Sequence, residues 1–415
     1  IEFLSPGRVR MVHTNLIAFG FLVNSFVGLL YWAIPRMSRR PVLNEQLGWL
    51  IFWVWQTIML ATLVGILLGE AQALEWGETP VWVDPCVGVG AVLLMAQFYP
   101  PIWRAEGKAL YVSLWYISAG LIWTGLTYIM GNFLPEYFIP GTSGAALAGL
   151  YIHDLVGLFV TPMGWGLMYY FVPIIIKKPI FSHGLSLIGF WGLAFFYPLN
   201  GVHHFLYSPI PMYAQYGAIV ATIAVEVVVL TVIVNFFATL FGRGDQLRTN
   251  LAIRWFYTGM VLYFITCAQC AYQTTLEAQK IIHFTDWVVG HAHLVMFGVF
   301  SFWIFGTIVF LWPRLTGRAW YSDRLNHWSY WLSTLGLVGM FITLLAGGLV
   351  QGFAWKELTQ WETSVASSYS FWWVRTFCGI MMMMGVFALA ANMLWTARHG
   401  RKIEQPVAGV APVAV

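Results

Sequence analysis

The sequence predicts an all-α protein, a bundle of helices that crosses a membrane many times. Charged residues make up 9% of the chain and hydrophobic residues 59%, whereas an ordinary globular domain carries about 25% charged residues. Long apolar runs recur along the chain, and runs of about 18 residues or more are typical of transmembrane helices. A water-soluble protein of this length is therefore excluded, and we expect a lipid bilayer around it.

About eleven apolar runs are long enough to cross a membrane. They cover roughly 11–36, 47–68, 80–103, 108–134, 146–174, 180–207, 212–241, 251–275, 281–313, 325–351 and 370–398. The loops between them are short, without a linker, a low-complexity segment or an obvious repeat. We therefore predict one transmembrane domain over residues 1–402 and a disordered tail over 403–415.

The charged residues divide unevenly between the two membrane faces. When successive loops are assigned to alternate faces, most of the 21 lysines and arginines fall on one side, face A. Cytoplasmic loops carry an excess of Lys and Arg, so face A is predicted to be cytoplasmic and face B periplasmic or its equivalent. Face B is rich in acidic residues: Glu70, Glu75, Glu78, Asp84, Glu136, Glu277, Asp286, Glu357 and Glu362. This clean split supports the span count, because one missed or invented helix would scramble every later loop.

Several histidines lie within the predicted spans, where polar side chains are costly and usually functional. They are His13, His153, His203, His204, His291 and His293. They come from four spans and are all predicted to lie in one layer displaced toward face B. Histidines buried for packing alone have no reason to share a depth. Imidazole is the common ligand of copper, iron and zinc, so this layer is predicted to hold metal.

His291 and His293 point to opposite sides of one predicted helix. Two residues correspond to about 200° around a helix, so the two side chains cannot share one metal ion. The simplest assignment is two iron porphyrins flanking this helix, with a copper ion facing one of them. A Cys-x-x-Cys-His motif does not occur in the sequence, so neither haem would be an attached c-type haem. Cys267 and Cys270, one Cys-x-x-Cys pair inside an apolar span, are interpreted as small packing residues.

His203 and His204 are adjacent and lie about 100° apart on a regular helix. They can converge on one ion if the end of the helix is distorted, and Pro198 and Gly201 are residues that cause such distortion. His153 from the preceding span would complete a three-histidine site.

Segments along nearly the whole chain carry a family resemblance. They are GRVRMVHTN (7–15), ALEW (73–76), IHDLVGLFVTP (152–162), MYYFVP (168–173), YPLNGVHHFLYSPIP (197–211), LRT (247–249), TDWVVGHAH (285–293) and GLVQG (348–352). A histidine pair followed by a Gly-His-x-His helix is highly specific. In these segments the chain resembles the haem–copper oxidases, specifically the catalytic subunit of the cbb3-type cytochrome c oxidases.

The resemblance implies the cofactors and their ligands. His13 and His293 would be the axial ligands of a low-spin haem b, which can then only transfer electrons. His291 would be the sole protein ligand of a high-spin haem b3, whose open side would face copper. The copper ligands would be His153, His203 and His204. Tyr197 matches the catalytic tyrosine that is joined covalently to a copper histidine in the family, and seven residues place it nominally on one helix face with His204.

Residues near face B are candidates for holding the haem propionates. Arg10, Asp286 and Trp287 are such neighbours by position. The family also has a calcium site near the propionates, and Glu75 matches its acidic ligand. Glu75 on a polar loop could equally be a solvated charge.

Protons must reach the metal site from face A across the apolar bilayer. Away from the ends of the spans we find two acids, Asp154, which follows a predicted copper ligand, and Glu226, which could face another subunit. We instead predict a hydroxyl-lined path that includes Tyr169, Ser186 and Tyr197, similar to the single proton path of the family. Ser186 lies about three helical turns before Tyr197 on one face.

The resemblance implies a terminal respiratory oxidase that reduces O2 to water with electrons from cytochrome c and translocates protons. The alternative is nitric oxide reductase of the same superfamily, which reduces NO and holds non-haem iron in place of copper. Such reductases commonly carry a glutamate four residues after the first histidine of that site, where this chain has Gly157, and lack the tyrosine present here as Tyr197. Both features favour the oxidase. Asp154, where the family often has Asn, and Gln269, where a family glutamate would fall, keep the alternative open.

A transporter or a cytochrome for electron transfer alone is a third interpretation, but neither needs the adjacent His203–His204 pair or His153. Because the chain has no c-type haem motif, electrons would arrive through another subunit on face B. The resemblance implies membrane-anchored cytochrome c subunits and a bacterial inner membrane, with the metal sites toward the periplasm. We expect no nucleic acid partner.

Family members usually have twelve spans, with the first histidine ligand in the second. Here His13 lies in the first span of the sequence. We therefore expect a preceding helix that lies outside this sequence or comes from another chain.

Overall fold

The computed structural model describes residues 2–107 and 110–403. Apart from an isolated bridge between Arg318 and Lys402, the regular elements of these residues are helices. Eleven helices of the described residues are long and apolar enough to cross a membrane, which confirms the predicted all-α, polytopic fold and the number of spans. The tail predicted over 403–415 lies, except for Ile403, outside the described residues.

We label the membrane-spanning helices α1 to α11 in chain order. Their bounds are Pro6–Ser38, Glu45–Leu68, Val81–Trp103, Val112–Tyr137, Gly141–Ile176, His183–Phe205, Met212–Leu240, Leu251–Gln273, Asp286–Thr316, Asp323–Lys356 and Trp361–His399.

Side-chain caps fix the start of four spans that enter the membrane from face A. Asn44, Ser182, Asn250 and Ser322 precede α2, α6, α8 and α10, and each side chain accepts a hydrogen bond from a backbone N–H of the first helical turn. These N–H groups have no partner within the helix. Such a cap stabilises a helix by about 1 kcal/mol, so short polar residues set these boundaries.

The described chain divides into two compact units. The first comprises Ile1–Tyr170 and Ser182–Val232, and the second comprises Phe171–Phe181 and Ile233–Val415. The first unit contains His13, His153, His203 and His204; the second contains His291 and His293.

The membrane-spanning helices differ in how much of their surface is buried inside the protein. The helix α5 holds His153, and 89% of its most apolar stretch is buried. The helix α9 holds His291 and His293, and 78% of the corresponding stretch is buried. In α11 the buried share is 28%, and large side chains such as Trp373 and Phe387 are exposed there. The candidate ligands of α5 and α9 therefore lie on helices that are largely surrounded by protein.

Wider helical turns interrupt several spans. Within the described residues, π-helical segments cover Leu16–Val23, Ile129–Phe133, Leu155–Val160 and Leu294–Ser301. The first, third and fourth begin shortly after His13, His153 and His293, respectively. Segments of this kind frequently occur at functional sites, and here each of these three lies just beyond a candidate ligand.

Candidate metal centre

Three histidine side chains of the first unit converge. One ring nitrogen from each of His153, His203 and His204 lies within 4.8 Å of the other two. Nδ1 of His153 is 3.1 Å from Nε2 of His204, and the ring centroids of His153 and His203 are 4.4 Å apart. The donor set is three imidazole nitrogens without a thiolate, which suits copper, iron, nickel or zinc. The residues therefore fit the metal ion that the sequence predicts.

A distorted helix end makes this convergence possible. The regular α-helical part of α6 ends at Phe196, and Tyr197–Leu199 and Gly201–Phe205 form two short 3-10 turns. The distortion expected from Pro198 and Gly201 is thus confirmed. Gly201 is also needed for close approach, because a Cβ there would lie 2.5 Å from Cα of Leu150 and 2.6 Å from the carbonyl oxygen of Gly149. The contact seats the histidine turn directly against α5, which carries His153.

A threonine that the sequence analysis missed orients one of the ligands. Oγ1 of Thr222, on α7, donates to the carbonyl oxygen of Ala218 at 2.7 Å and lies 2.8 Å from Nδ1 of His203. Since the hydroxyl proton is already used, Nδ1 of His203 is the donor in the second bond. Nε2 of His203 therefore keeps its lone pair for a metal. No local signal separates Thr222 from the other threonines of this apolar span.

Tyr197 packs beside the three histidines. Its ring is stacked on that of His153, with centroids 5.0 Å apart and planes 20° apart. The ring also packs closely against Gly157, where any Cβ would overlap ring atoms of Tyr197. A tyrosine at position 197 and a side chain at position 157 are therefore sterically incompatible in this fold.

Two further polar side chains are fully buried in the same segments. Asp154 is 1% exposed and Asn200 is 0% exposed. Among the described residues, neither Oδ1 of Asp154 nor the side-chain amide of Asn200 finds a hydrogen-bond partner. Buried polar atoms without protein partners typically bond to ordered water or to a bound group. The segments that carry the histidines therefore also provide polar atoms that can bond to water or to a bound group.

The second unit holds its two histidines separately. Nδ1 of His293 lies 2.8 Å from the carbonyl oxygen of Val289, which can only accept, so Nε2 of His293 is left for a metal. Nδ1 of His291 lies 3.1 Å from Oε1 of Gln269 on α8. Each ring is therefore oriented by a hydrogen-bond acceptor at Nδ1.

The candidate propionate neighbours lie in different surroundings. In the second unit, Oδ2 of Asp286 accepts from Gln351 and Trp372 at 2.8 and 2.7 Å, and Oδ1 is 3.5 Å from Arg375. Asp286 therefore balances a cation of α11. The indole of Trp287 donates to Oε1 of Gln273 at 3.1 Å.

In the first unit, an acidic loop lies beside the start of α1. Arg10 is exposed and lies close enough to Glu75 to lower the pKa of its carboxyl, although burial raises that pKa more. Glu78, which the sequence analysis did not single out, is 3% exposed and accepts from Asn15 at 2.9 Å. Burial, the larger effect, raises the pKa of Glu78 as well, while the bond from Asn15 opposes it.

The proposed proton path begins in an aromatic cluster. Oη of Tyr116 donates to the backbone oxygen of Ser186 at 2.9 Å, and the rings of Tyr116 and Tyr169 are stacked with centroids 5.9 Å apart. Ser186 and Tyr169 are thus brought together by Tyr116, which the sequence analysis missed. Tyr197 lies about 16 Å further along α6 at 1.5 Å per residue, so a proton would need intermediate groups or water between them.

A polytopic helical fold with a partly buried, all-imidazole site is typical of a membrane metalloenzyme. Residues 2–381 match the family described as Cytochrome C and Quinol oxidase polypeptide I, and the chain belongs to this family. It is an oxidoreductase family whose members carry haem and copper.

Individual relatives include both oxidases and a reductase. The chain is 30% identical to cytochrome c oxidase subunit 1 of Rhodobacter capsulatus, over 94% of this chain and 77% of the relative. It is 25% identical to the cbb3-type cytochrome c oxidase subunit CcoN1 of Stutzerimonas stutzeri (98% and 89% covered). It is also 23% identical to a nitric oxide reductase subunit of the same organism (100% and 90% covered).

The fold matches a solved structure. The cryo-EM structure of a heme-copper terminal oxidase dimer superposes with a TM-score of 0.75 at 15% identity, covering 94% of this chain and 78% of that one. At this identity the likeness supports the fold.

Proposed function

We propose that this chain is the catalytic subunit of a cbb3-like terminal oxidase that reduces O2 to water and couples the reaction to proton translocation. The observation that carries the proposal is the three-histidine cluster with Tyr197 stacked on His153. A cytochrome for electron transfer alone needs only axial ligands, and neither the cluster nor the tyrosine would have a use in it.

Copper is the ion that we assign to His153, His203 and His204. By the family resemblance, His291 would hold the iron of a high-spin haem b3, and His13 and His293 that of a low-spin haem b. When bound, these groups supply electron transfer and the binding of O2. The chain contributes ligand orientation, and Thr222 does this for His203 by accepting a hydrogen bond from its Nδ1–H.

Tyr197 would serve as a proton donor within the site. Its ring packs against both His153 and Gly157, which fixes the position of the phenol relative to the metal ligands. Because the stacked neighbour is His153, we assign His153 as the histidine to which Tyr197 becomes joined. Protons would be supplied from face A through the cluster of Ser186, Tyr116 and Tyr169.

The nitric oxide reductase alternative is disfavoured by steric packing. Its glutamate, four residues after the first histidine, would stand at position 157, and the Tyr197 ring leaves no room for a side chain there. Asp154, whose Oδ1 has no hydrogen-bond partner among the described residues, is the carboxylate that would serve a non-haem iron instead.

The periphery of the site supports further assignments. We propose that Arg10, Asp286 and Trp287 lie beside the haem propionates, and that Glu75 with Glu78 binds calcium at face B. Electrons would enter from membrane-anchored cytochrome c subunits on that face, which we place on the periplasmic side of the bacterial inner membrane.

Turnover of two gases tests the proposal. The purified complex should consume O2 with a reduced cytochrome c donor much faster than it consumes NO. Tyr197→Phe, which keeps the ring against Gly157, should abolish O2 turnover and leave the haem spectra intact. Faster NO than O2 consumption by the unmodified complex, or full O2 turnover by the variant, would overturn the assignment.

A further inference from the structure

A polar cavity lies at face A in the second unit. Its volume is about 470 Å³, and it lies between the start of α8, the end of α9 and the start of α10. Trp328 and Trp331 follow on α10 and are 60% and 48% exposed, as is typical of aromatic side chains at the level of the lipid head groups. The cavity therefore has the size of a ligand site and lies at head-group level.

Arg254 brings a positive charge to the wall of this cavity. Nε and Nη2 donate to the carbonyl oxygens of Leu247 and Arg248, both at 2.9 Å, and the guanidinium carbon lies 5.6 Å from the centroid of the Tyr330 ring. These contacts hold the side chain in place, but among the described residues no carboxylate lies within 4.0 Å of it. The two N–H groups of Nη1 therefore remain for a ligand with negative charge.

Two asparagine side chains of fixed orientation add further donors. Oδ1 of Asn250 accepts from two backbone N–H groups in the first turn of α8. Asn326 is 3% exposed, and its Oδ1 accepts from Nδ2 of Asn392 at 2.8 Å. Asn392 is itself oriented by the backbone N–H and carbonyl oxygen of Ser322. Both residues line the cavity, and since their oxygens are used, the group that each offers to a ligand is the donor Nδ2.

We propose that this cavity binds a phosphate group, that of a phospholipid in the face-A leaflet. Arg254, Asn250 and Asn326 present donors, so the ligand must supply acceptor oxygens, and the unbalanced guanidinium requires that they carry negative charge. Phosphate meets both demands. Leu251 and Val309 also line the cavity and give the first carbons of an acyl chain an apolar wall.

The rim of the cavity selects among head groups. Asp323 lines the cavity with an exposed side chain, and its carboxylate opposes a second negative charge on the ligand. An ethanolamine head group carries an ammonium close to its phosphate, so phosphatidylethanolamine fits better than phosphatidylglycerol. Asp323→Asn should keep lipid binding and remove this preference.

Lipid binding to the purified complex, freed of bound lipid with detergent, tests the site. Native mass spectrometry counts the short-chain phosphatidylethanolamine molecules that each complex retains. Asn250→Asp keeps the oxygen that caps α8 but puts a carboxylate oxygen in place of the amide donor. We expect one lipid fewer per catalytic subunit and an affinity at this site at least about tenfold lower. Arg254→Gln removes the charge and should have the same effect.

Asn44→Asp is the matched control. Asn44 caps α2 at face A through the same two kinds of hydrogen bond but does not line the cavity, so this variant should retain the wild-type lipid count. An unchanged count in Asn250→Asp and Arg254→Gln, or an equal loss in Asn44→Asp, would overturn the inference. Phosphoethanolamine without acyl chains should not displace the lipid. Displacement at equal concentration would overturn the lipid as the source of the phosphate and assign the cavity to a soluble phosphate ester.

Discussion

The two units hold their histidines in different ways. In the first unit His153, His203 and His204 touch one another, and a tight backbone contact at Gly201 and the ring of Tyr197 press them together. In the second unit each of the two histidines is oriented by a hydrogen-bond acceptor at Nδ1: the amide oxygen of Gln269 for His291 and the carbonyl oxygen of Val289 for His293.

The difference suits the groups that we propose for the two sites. A copper ion arrives without its own ligands, so the protein must supply a complete set at the right distances. A porphyrin already supplies four nitrogens, so the chain would need to provide only one or two axial imidazoles, each with the correct tautomer. Packing should therefore be the main control at the three-histidine cluster, to which Thr222 adds one hydrogen bond at Nδ1 of His203, whereas hydrogen bonding at Nδ1 should orient both His291 and His293.

Gly157→Ala should disrupt the first site most strongly. The added methyl overlaps the Tyr197 ring, and overpacking a close-packed interior typically costs about 1–3 kcal/mol. Tyr197 would have to move away from His153. We therefore expect loss of copper and of O2 turnover, while the haem spectra change little. Metal analysis and oxygen-electrode assays measure both.

Gly28→Ala is the matched control for this prediction. Gly28 is also on a membrane-spanning helix, and a Cβ there meets nothing within 4 Å. It should keep wild-type copper content and turnover. Normal copper in Gly157→Ala would show that packing at Tyr197 does not organise the site.

Thr222→Val should weaken copper binding without removing a ligand. The change keeps the shape of the side chain but removes the acceptor for Nδ1 of His203. Loss of such an outer partner typically lowers metal affinity by about 10–100-fold, which competition with a copper chelator measures. Thr231→Val, whose hydroxyl bonds the carbonyl of Val228 on the same helix, should retain wild-type affinity; equal weakening in both variants would argue against orientation by Thr222.

Ser186→Ala tests whether side chains of the first unit near face A are needed for turnover. We expect turnover to slow several-fold because a hydroxyl at the entry of the proton path is lost, while the haem spectra and copper content stay the same. Tyr116→Phe should slow turnover in the same way. Wild-type turnover in both variants would exclude this cluster from proton supply.

Glu78→Gln should change the pH dependence of stability. Burial raises the pKa of Glu78, so the folded state binds this proton more tightly than the unfolded state does. The stability that it contributes is full below the ordinary pKa of 4.5 and is lost as pH rises through the raised value. Relative to wild type, Glu78→Gln should therefore gain stability with rising pH, by about 1.4 kcal/mol for each unit of the shift.

Thermal unfolding between about pH 4 and 8, with a calcium chelator present, tests this prediction across the range in which the carboxyl loses its proton. Glu70→Gln, on the same loop but with an exposed carboxyl, serves as the control. A pH-independent difference between Glu78→Gln and wild type would contradict the expected direction.

The sequence predicted the spans and the histidine trio for identifiable physical reasons. Apolar length fixes the spans, and Pro198 and Gly201 indicate where α6 loses regularity. Thr222 and Tyr116 could not be found in this way, because their roles depend on which helix faces they meet after folding. The nominal helical wheel paired Tyr197 with His204, and the 3-10 turns instead stack Tyr197 on His153.

The metal content of the catalytic subunit tests the central claim most directly. Iron, copper and haem should be measured on the purified complex, after the metals of partner subunits are subtracted. The account predicts two b-type haems and one copper ion, with copper lost in His203→Ala. Two haems with an additional non-haem iron and no copper would contradict it, and the chain would then be a nitric oxide reductase.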